Sequence, residues 1–276
     1  MIIKRKPTSP GRRGQTQLKG RSSSKNSLTK SVLRSLSTSL NGTVGRDHGQ
    51  ITVFQKRRGA KKRYRIVDFK RDKYDVPGVV ESIEYDPNRA CEIALVLYVD
   101  GERRFIIAPG EVNVGDKVIS GENVAIKPGN ALPMSRIPLG LPIHNIELYP
   151  KAGGKFVRSA GTSAQITAKE GNYVNVRMPS GEVRRFLADG YATVGTVGNE
   201  EWKLVKLGKA GRLFHMGKRP HIRGKARSDS HPHAGSYRRR VGRHPVDKYG
   251  NLAKGGRTRT RKNTNKYIIT KRKGRR

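Results

Sequence analysis

Five of the seven histidines (His215, His221, His231, His233 and His244) fall within thirty residues of one another. The tightest grouping is "SDSHPHAGS" (228–236), where His231 and His233 flank Pro232 and Asp229 lies just upstream. Three chemistries suit such residues. A metal site needs three or four ligands with supporting partners. Proline biases its predecessor toward extended geometry, in which residues two apart point the same way, so bidentate contact is sterically open. A general base would pair a histidine with Asp229 and needs a dry pocket. A bend whose polar groups bond to phosphates and sugars needs neither. The stretch lies in a strongly cationic region, a poor setting for a metal or a base, so the residues favour the bend.

Other catalytic signatures are missing from the sequence. The Gly-Lys pairs at 154–155, 208–209, 217–218 and 224–225 are followed by Phe156, Ala210, Arg219 and Ala226, where a phosphate loop requires Ser or Thr. There is no G-x-S-x-G elbow and no H-E-x-x-H. Acids are scarce outside the middle and form no obvious closely spaced catalytic pair. The expectation is a chain with no catalytic residue, no metal and no cofactor.

The elements that must carry these residues are set by charge. The formal net charge is +38 and only 34% of residues are hydrophobic. A polycation of this size repels itself unless a polyanion neutralises it. Residues 1–63 hold 17 Lys/Arg against Asp47 alone, and residues 206–276 hold 24 against Asp229 and Asp247. Residues 64–205 carry eighteen of each sign. The middle is balanced like a globular protein, and both flanks are cationic arms. No apolar run approaches the length of a membrane span, and no signal-like segment follows Met1. The single cysteine, Cys91, excludes an internal disulfide and a Cys-pair zinc site, and its place in "CEIALVLYV" predicts a core residue.

The middle reads as β-structure. "VVESIEY" and "CEIALVLYVDGERRFIIAP" are rich in strand formers, and Asp100-Gly101 between two apolar runs predicts a hairpin. "DKVIS", "HNIELY", "AQITAK", "YVNVRM", "EVRRFL" and "ATVGTV" follow at short spacing, separated by turns such as "KEGN" and "PSGE". Many short strands predict small barrels rather than βαβ units. The stretch "IKPGNALPMSRIPLGLP" (126–142) divides them into two all-β domains. Trp202 ends the β-region and is expected in the core.

The arms are rich in Gly, Ser, Lys and Arg and cannot bury enough apolar surface to order themselves alone. Leu28, Val32, Leu33, Leu36 and Leu40 are spaced as one face of a short helix ending near Asn41-Gly42. The last 71 residues, fully extended at about 3.3 Å each, would reach roughly 230 Å. Arginines dominate "RRRVGRHP" (Arg238, Arg239, Arg240, Arg243), which suits bidentate phosphate contacts and base stacking. Arg223 belongs to the same basic arm. Tyr237 and Tyr249 are of a type that stacks on unpaired bases or packs locally.

Several segments then converge. "KRKPTSPGRR" (4–13), "YRIVDFKRDK" (64–73), "VESIEYDPNRACEIALVLYVDGERRFIIAP" (80–109), "IKPGNALPM" (126–134), "RSAGTSAQI" (158–166), "ATVGTVGN" (192–199), "LGKAG" (207–211) and "HPHAG…GRHPV" (231–246) occur in this order. Together they resemble the universal L2 family of large-subunit ribosomal proteins, of bacterial or organellar type, over nearly the whole chain. The match is sparsest over 14–62.

The resemblance implies an all-β chain, with a five-stranded oligonucleotide-binding (OB) barrel followed by an SH3-like barrel and long basic irregular extensions. Its implied divisions are an N-terminal extension over 1–42, an OB-fold domain over 43–124, an SH3-like domain over 125–204 and a C-terminal extension over 205–276. It implies a structural, primary rRNA-binding protein that organises RNA near the peptidyl-transferase centre. It also implies support of subunit association, tRNA binding and peptide-bond formation. The implied partners are 23S-class rRNA, other large-subunit proteins and the small subunit at an intersubunit bridge, with no membrane. By resemblance, Arg89 in "YDPNR" and Arg158 in "RSAGT" are the foremost rRNA contacts in the barrels, with Arg65, Lys70 and Arg71 next.

His231, Pro232 and His233 are placed near the peptidyl-transferase region by the same resemblance, and His231 matches a histidine considered for acid–base help in peptide transfer. That alternative is weakened because Ser230 separates Asp229 from His231, and Ala234 stands where the family pattern has glycine. The family pattern begins by residue 4, so no removable transit peptide is expected. The expected location is the ribosome of a bacterial cytoplasm, or of an organelle that synthesises the chain itself.

Overall fold

The computed structural model describes residues 2–21, 34–40, 46–48, 50–51, 53, 55–220, 252, 255, 259 and 261–272. The chain divides into two compact units, one of residues 1–41, 61–210 and 266–276, the other of 42–60 and 211–265.

The larger unit begins with a hairpin. β1 (Ile2–Lys4) pairs antiparallel with β2 (Thr16–Leu18), and the short helix α1 (Pro10–Arg13) lies between them, with proline at its first position, where the missing N–H costs nothing. The Thr16 N–H donates to the Lys206 carbonyl (2.9 Å), and the Lys206 N–H donates to the Thr16 hydroxyl (2.7 Å). Arg21 is a clamp. Its backbone N–H and Nε donate to the Glu92 carboxylate at 2.8 and 3.1 Å, and its Nη atoms donate to the carbonyls of Pro109, Gly110 and Val112. Part of the amino-terminal extension is therefore built into the fold, where composition predicts irregular chain.

Leu36 and Leu40 do not continue a helix. The chain turns at Leu36 and enters β3 (Ser37–Ser39), which pairs with β6 (Arg63–Arg65). Leu28, Val32 and Leu33 lie outside the described residues. The two-residue strands β4 (Arg46–Asp47) and β5 (Gln50–Ile51) pair in the smaller unit.

The first barrel is built on a meander of β7 (Gly78–Glu84), β8 (Ile93–Tyr98) and β9 (Arg103–Ile107), with β10 (Lys117–Val118) on the outer edge of β7. Parallel bridges from Val67 to Phe105 and from Tyr74 to Ser120 supply a fifth segment. β8 is apolar throughout because both its faces are covered. Ala94, Val96 and Tyr98 pack with Val80, Ile106 and Val118, while Ile93 and Leu95 pack with Val67, Phe105 and Val197. The β8–β9 connection is closed by Gly101 in the left-handed region (φ +83), with its N–H on the Tyr98 carbonyl at 2.9 Å. That is the pattern of a three-residue loop ending in glycine, rather than the two-residue turn an Asp-Gly pair first suggests. Cys91 is buried against this core as predicted, and burial pushes its thiol up to about 11.

The second barrel is a seven-stranded sheet in the order β11 (Ala131–Pro133), β18 (Tyr191–Val194), β12 (Pro142–His144), β15 (Ala164–Glu170), β16 (Tyr173–Arg177), β17 (Val183–Leu187) and β19 (Ile268–Thr270). The pair β13 (Ile146–Glu147) and β14 (Gly154–Phe156) lies beside it in sequence. Leu132, Met134, Ile137, Ile143, Ile166, Val174 and Phe186 make its core. All sheet pairings are antiparallel, giving the all-β class that the residue pattern predicts. β19 comes from the basic carboxy-terminal region and adds to the edge of β17 by Val183↔Thr270 and Arg184↔Ile268. Trp202 is only half-buried, in a 3-10 helix over Glu200–Leu204. The helix α2 (Ala210–His215) follows.

His144 is fully buried in the second core, with Nδ1 donating to the Gly195 carbonyl at 2.8 Å. Burial pushes its pKa down to about 4, with the nearby Arg71 charge acting in the same direction. The folded state therefore holds it neutral. Its contribution is complete above the ordinary histidine value and is lost as pH falls from 6.5 toward 4, amounting to about 3 kcal/mol. Urea melts across this window should show falling stability, with a flatter profile in His144→Gln. An equally steep profile in the variant would assign the acid sensitivity to other groups.

Candidate nucleic-acid interface

The site is assembled from a turn, a ring and a strained loop. Asp86-Pro87-Asn88-Arg89 follows β7 as an Asx turn, with the Asn88 N–H donating to Asp86 Oδ1 at 2.9 Å. The Asp86 side chain is 0% exposed. A carboxylate out of water must be paired, and Arg89 Nε donates to its Oδ2 at 2.6 Å. Arg65 approaches the other oxygen, with Nη1 3.9 Å from Oδ1. Arg89 and Arg65 keep 17% and 19% of their side chains exposed, so each guanidinium is anchored from behind and still reaches the surface.

Phe69 forms the centre. Its carbonyl accepts the Gly154 N–H at 2.8 Å and Asn145 Nδ2 at 3.3 Å, which ties the first barrel to the second. The Arg158 guanidinium lies over the Phe69 ring at 4.4 Å from its centroid, and that of Arg89 at 5.5 Å. Arg158 is exposed, and its carbonyl faces the Cys91 thiol at 3.7 Å. The residue before it, Val157, has φ +54, a region that β-branched side chains avoid. The Asn145 N–H on the Val157 carbonyl (2.9 Å) holds it there, and Asn145 itself has φ +51.

The five barrel-located candidates separate. Arg65, Arg89 and Arg158 converge on Phe69 and Asp86. Lys70 is exposed beside Phe69, its N–H on Asp68 Oδ1 at 3.0 Å. Arg71 differs from the other four: it is 3% exposed and donates from Nη2 to the Gly129 carbonyl at 3.2 Å, so it braces the junction. Arg223, Arg238, Arg239, Arg240 and Arg243 lie outside the described residues, as do His231, Pro232, His233, Tyr237 and Tyr249.

Sequence reading missed the organising residues, Phe69 and Asp86. Both sit inside quoted segments, and the Asp-Pro-Asn turn signal was visible at Asp86. A carboxylate among surface cations looks like a liability until its burial is known.

Elsewhere on the first barrel three cations are neutralised internally. Arg104 donates to Glu102 (2.7 Å), Asp68 (3.2 Å) and Asp72, Lys73 pairs with Asp100 and Glu102, and Arg103 pairs with Glu81 (2.8 Å). Hydrogen bonds from Arg104 and then Lys73 hold the Glu102 carboxyl below its ordinary range. By contrast, among the described residues no carboxylate pairs with Arg158 or Lys70. The first group has already exchanged water for carboxylate, and the second has not. Among the described residues no group of three or more His, Cys, Asp or Glu is placed to hold a metal ion, and no helix is long and apolar enough to cross a membrane.

Two family models match this chain. One, described as ribosomal proteins L2, RNA binding N-terminal domain, covers residues 33–120. The other, described as ribosomal proteins L2, C-terminal domain, covers residues 127–250. Between them they take in more than three quarters of the sequence.

Proposed function

The chain belongs to the ribosomal L2 family, and from that premise we propose that its two barrels dock on folded rRNA through the cluster at their junction. Family membership makes it a structural, RNA-binding constituent of the large ribosomal subunit. The observation that carries the finer reading is that Arg65 and Arg89 from one barrel and Arg158 from the other converge on a single rigid patch. Cations fixed on a rigid surface can match one arrangement of phosphates, whereas cations on irregular arms neutralise any arrangement.

In this reading the first barrel occupies 43–124 and the second 125–204, flanked by basic extensions over 1–42 and 205–276. The extensions neutralise phosphates and hold together RNA segments that would repel each other. The C-terminal extension organises RNA near the peptidyl-transferase centre, supporting tRNA binding, peptide-bond formation and subunit association. Contacts with other large-subunit proteins, and with the small subunit at a bridge, fall to surfaces outside the cluster. The ribosome carrying it is that of a bacterial cytoplasm or an organelle. The chemistry of peptide transfer belongs to the RNA.

Competition binding tests the docking surface. Full-length large-subunit rRNA should displace labelled large-subunit rRNA far better than unrelated RNA of equal length. Replacing Arg89 and Arg158 together with alanine should narrow that gap by about tenfold or more, since hydrogen bonds to charged groups each contribute about 1.5–3 kcal/mol. Equal competition by unrelated RNA with the unaltered chain would defeat the docking reading and leave only general polyanion binding.

A further inference from the structure

We infer that Phe69 is a positioning residue that fixes Arg89 and Arg158 in one orientation, so that the two barrels present their guanidiniums to rRNA as a single preformed unit. The inference rests on the docking role proposed above and adds a cause for its geometry. Three observations carry it.

First, Phe69 belongs to the segment entering the first barrel, yet its carbonyl is held by Gly154 and Asn145 of the second. The ring packs against the core of the first barrel, the backbone behind it is held by the second, and guanidiniums from both touch it. Second, the backbone is strained where Arg158 needs to be aimed. Val157 sits at φ +54, and such strain persists only where surrounding contacts impose it. Asn145, which imposes it, is the same residue that holds the Phe69 carbonyl. Third, Arg89 is held a second time by the buried Asp86, which accepts from its Nε at 2.6 Å, so ring and carboxylate together restrict the guanidinium.

An arginine side chain loses much rotamer freedom when it is immobilised. A ring that restrains two of them before RNA arrives removes that cost from binding. Phe69 carries no charge and need not touch RNA. Its effect should appear only through the arginines.

A mutant cycle on the full chain reads this directly, with dissociation constants measured for full-length large-subunit rRNA at fixed salt. Phe69→Leu should weaken binding about tenfold without removing a charge, and Phe69→Tyr, which keeps a π-face, should remain within about twofold. In a background of Arg89→Ala and Arg158→Ala, Phe69→Leu should add no further loss. A merely structural role would instead give additive losses and no dependence on aromaticity, which would overturn the proposal. Unchanged binding by Phe69→Leu alone would also overturn it, while leaving the docking role standing if the arginine pair still matters. If the arginine double variant binds as tightly as the unaltered chain, the docking role fails and the positioning role with it. Phe69→Met, apolar and without a π-face, takes the place of the leucine variant if that one does not fold.

Discussion

Raising monovalent salt from about 50 to about 200 mM is expected to weaken binding to large-subunit rRNA by roughly a thousandfold to a hundred-thousandfold. The range follows from neutralising about six to ten phosphates, each contributing a slope of roughly −0.7 to −0.9 in a plot of log affinity against log salt. The chain has ample charge for this, with 41 Lys/Arg against three acids in residues 1–63 and 206–276. Some of those cations are engaged within the protein. Arg21 is bound to Glu92 and three carbonyls, which is one reason the phosphate count is set well below the cation count. Titrations of the full chain at several salt concentrations give the slope. A flat response would mean that shape or stacking, and not counterion release, dominates the affinity.

Asp86→Ala is expected to destabilise the larger unit by about 3–5 kcal/mol, and nearer the lower figure. The carboxylate is fully buried, accepts from the Asn88 backbone and the Arg89 side chain, and faces Arg65. Its removal leaves two guanidiniums close together with no anion between them, and it opens the turn. The lower figure applies because Arg65 and Arg89 retain partial exposure and can turn toward water. For a domain of this size the loss corresponds to roughly 6–20 °C in melting temperature. Calorimetry of the free chain measures it. Bound rRNA should return part of the loss, because phosphates then take the place of the carboxylate. An unchanged melting temperature in the free variant would remove Asp86 as an anchor.

What was legible in the sequence was whatever depended on local pattern. The apolar runs over 79–85 and 91–109 gave strands because β-branched density and turn residues act within a few positions. The two-sided burial of β8 could be anticipated from a run with no polar alternation. The charge boundary near residue 64 lies close to Lys61, where the chain re-enters the larger unit.

Features that depend on distant partners were not legible. Leu36 and Leu40 fit a helical face, but Ser37–Ser39 found a strand partner in Arg63–Arg65, and pairing overrode spacing. Arg71 looked like its neighbours in "YRIVDFKR", and only the approach of Gly129 from the second barrel decided that it would be buried. Phe69 gave no signal as an organiser because the groups that touch it are twenty to ninety positions away. The same holds for Ile268–Thr270, which reads as part of a basic tail and pairs with β17.

That last strand changes the topology of the carboxy-terminal arm. The chain leaves the larger unit after Ala210 and rejoins it at Lys266, so both ends of the intervening sequence are moored to that unit. Going out and back, it extends at most roughly 90 Å, at about 3.3 Å per residue, less than half the span of a free tail. A stretch moored at both ends also has no end to feed through an opening that has already formed. If RNA encloses this stretch in the particle, either the RNA closes around it or β19 docks afterwards. Enclosure of this stretch would then have a required order, imposed by three residues of strand.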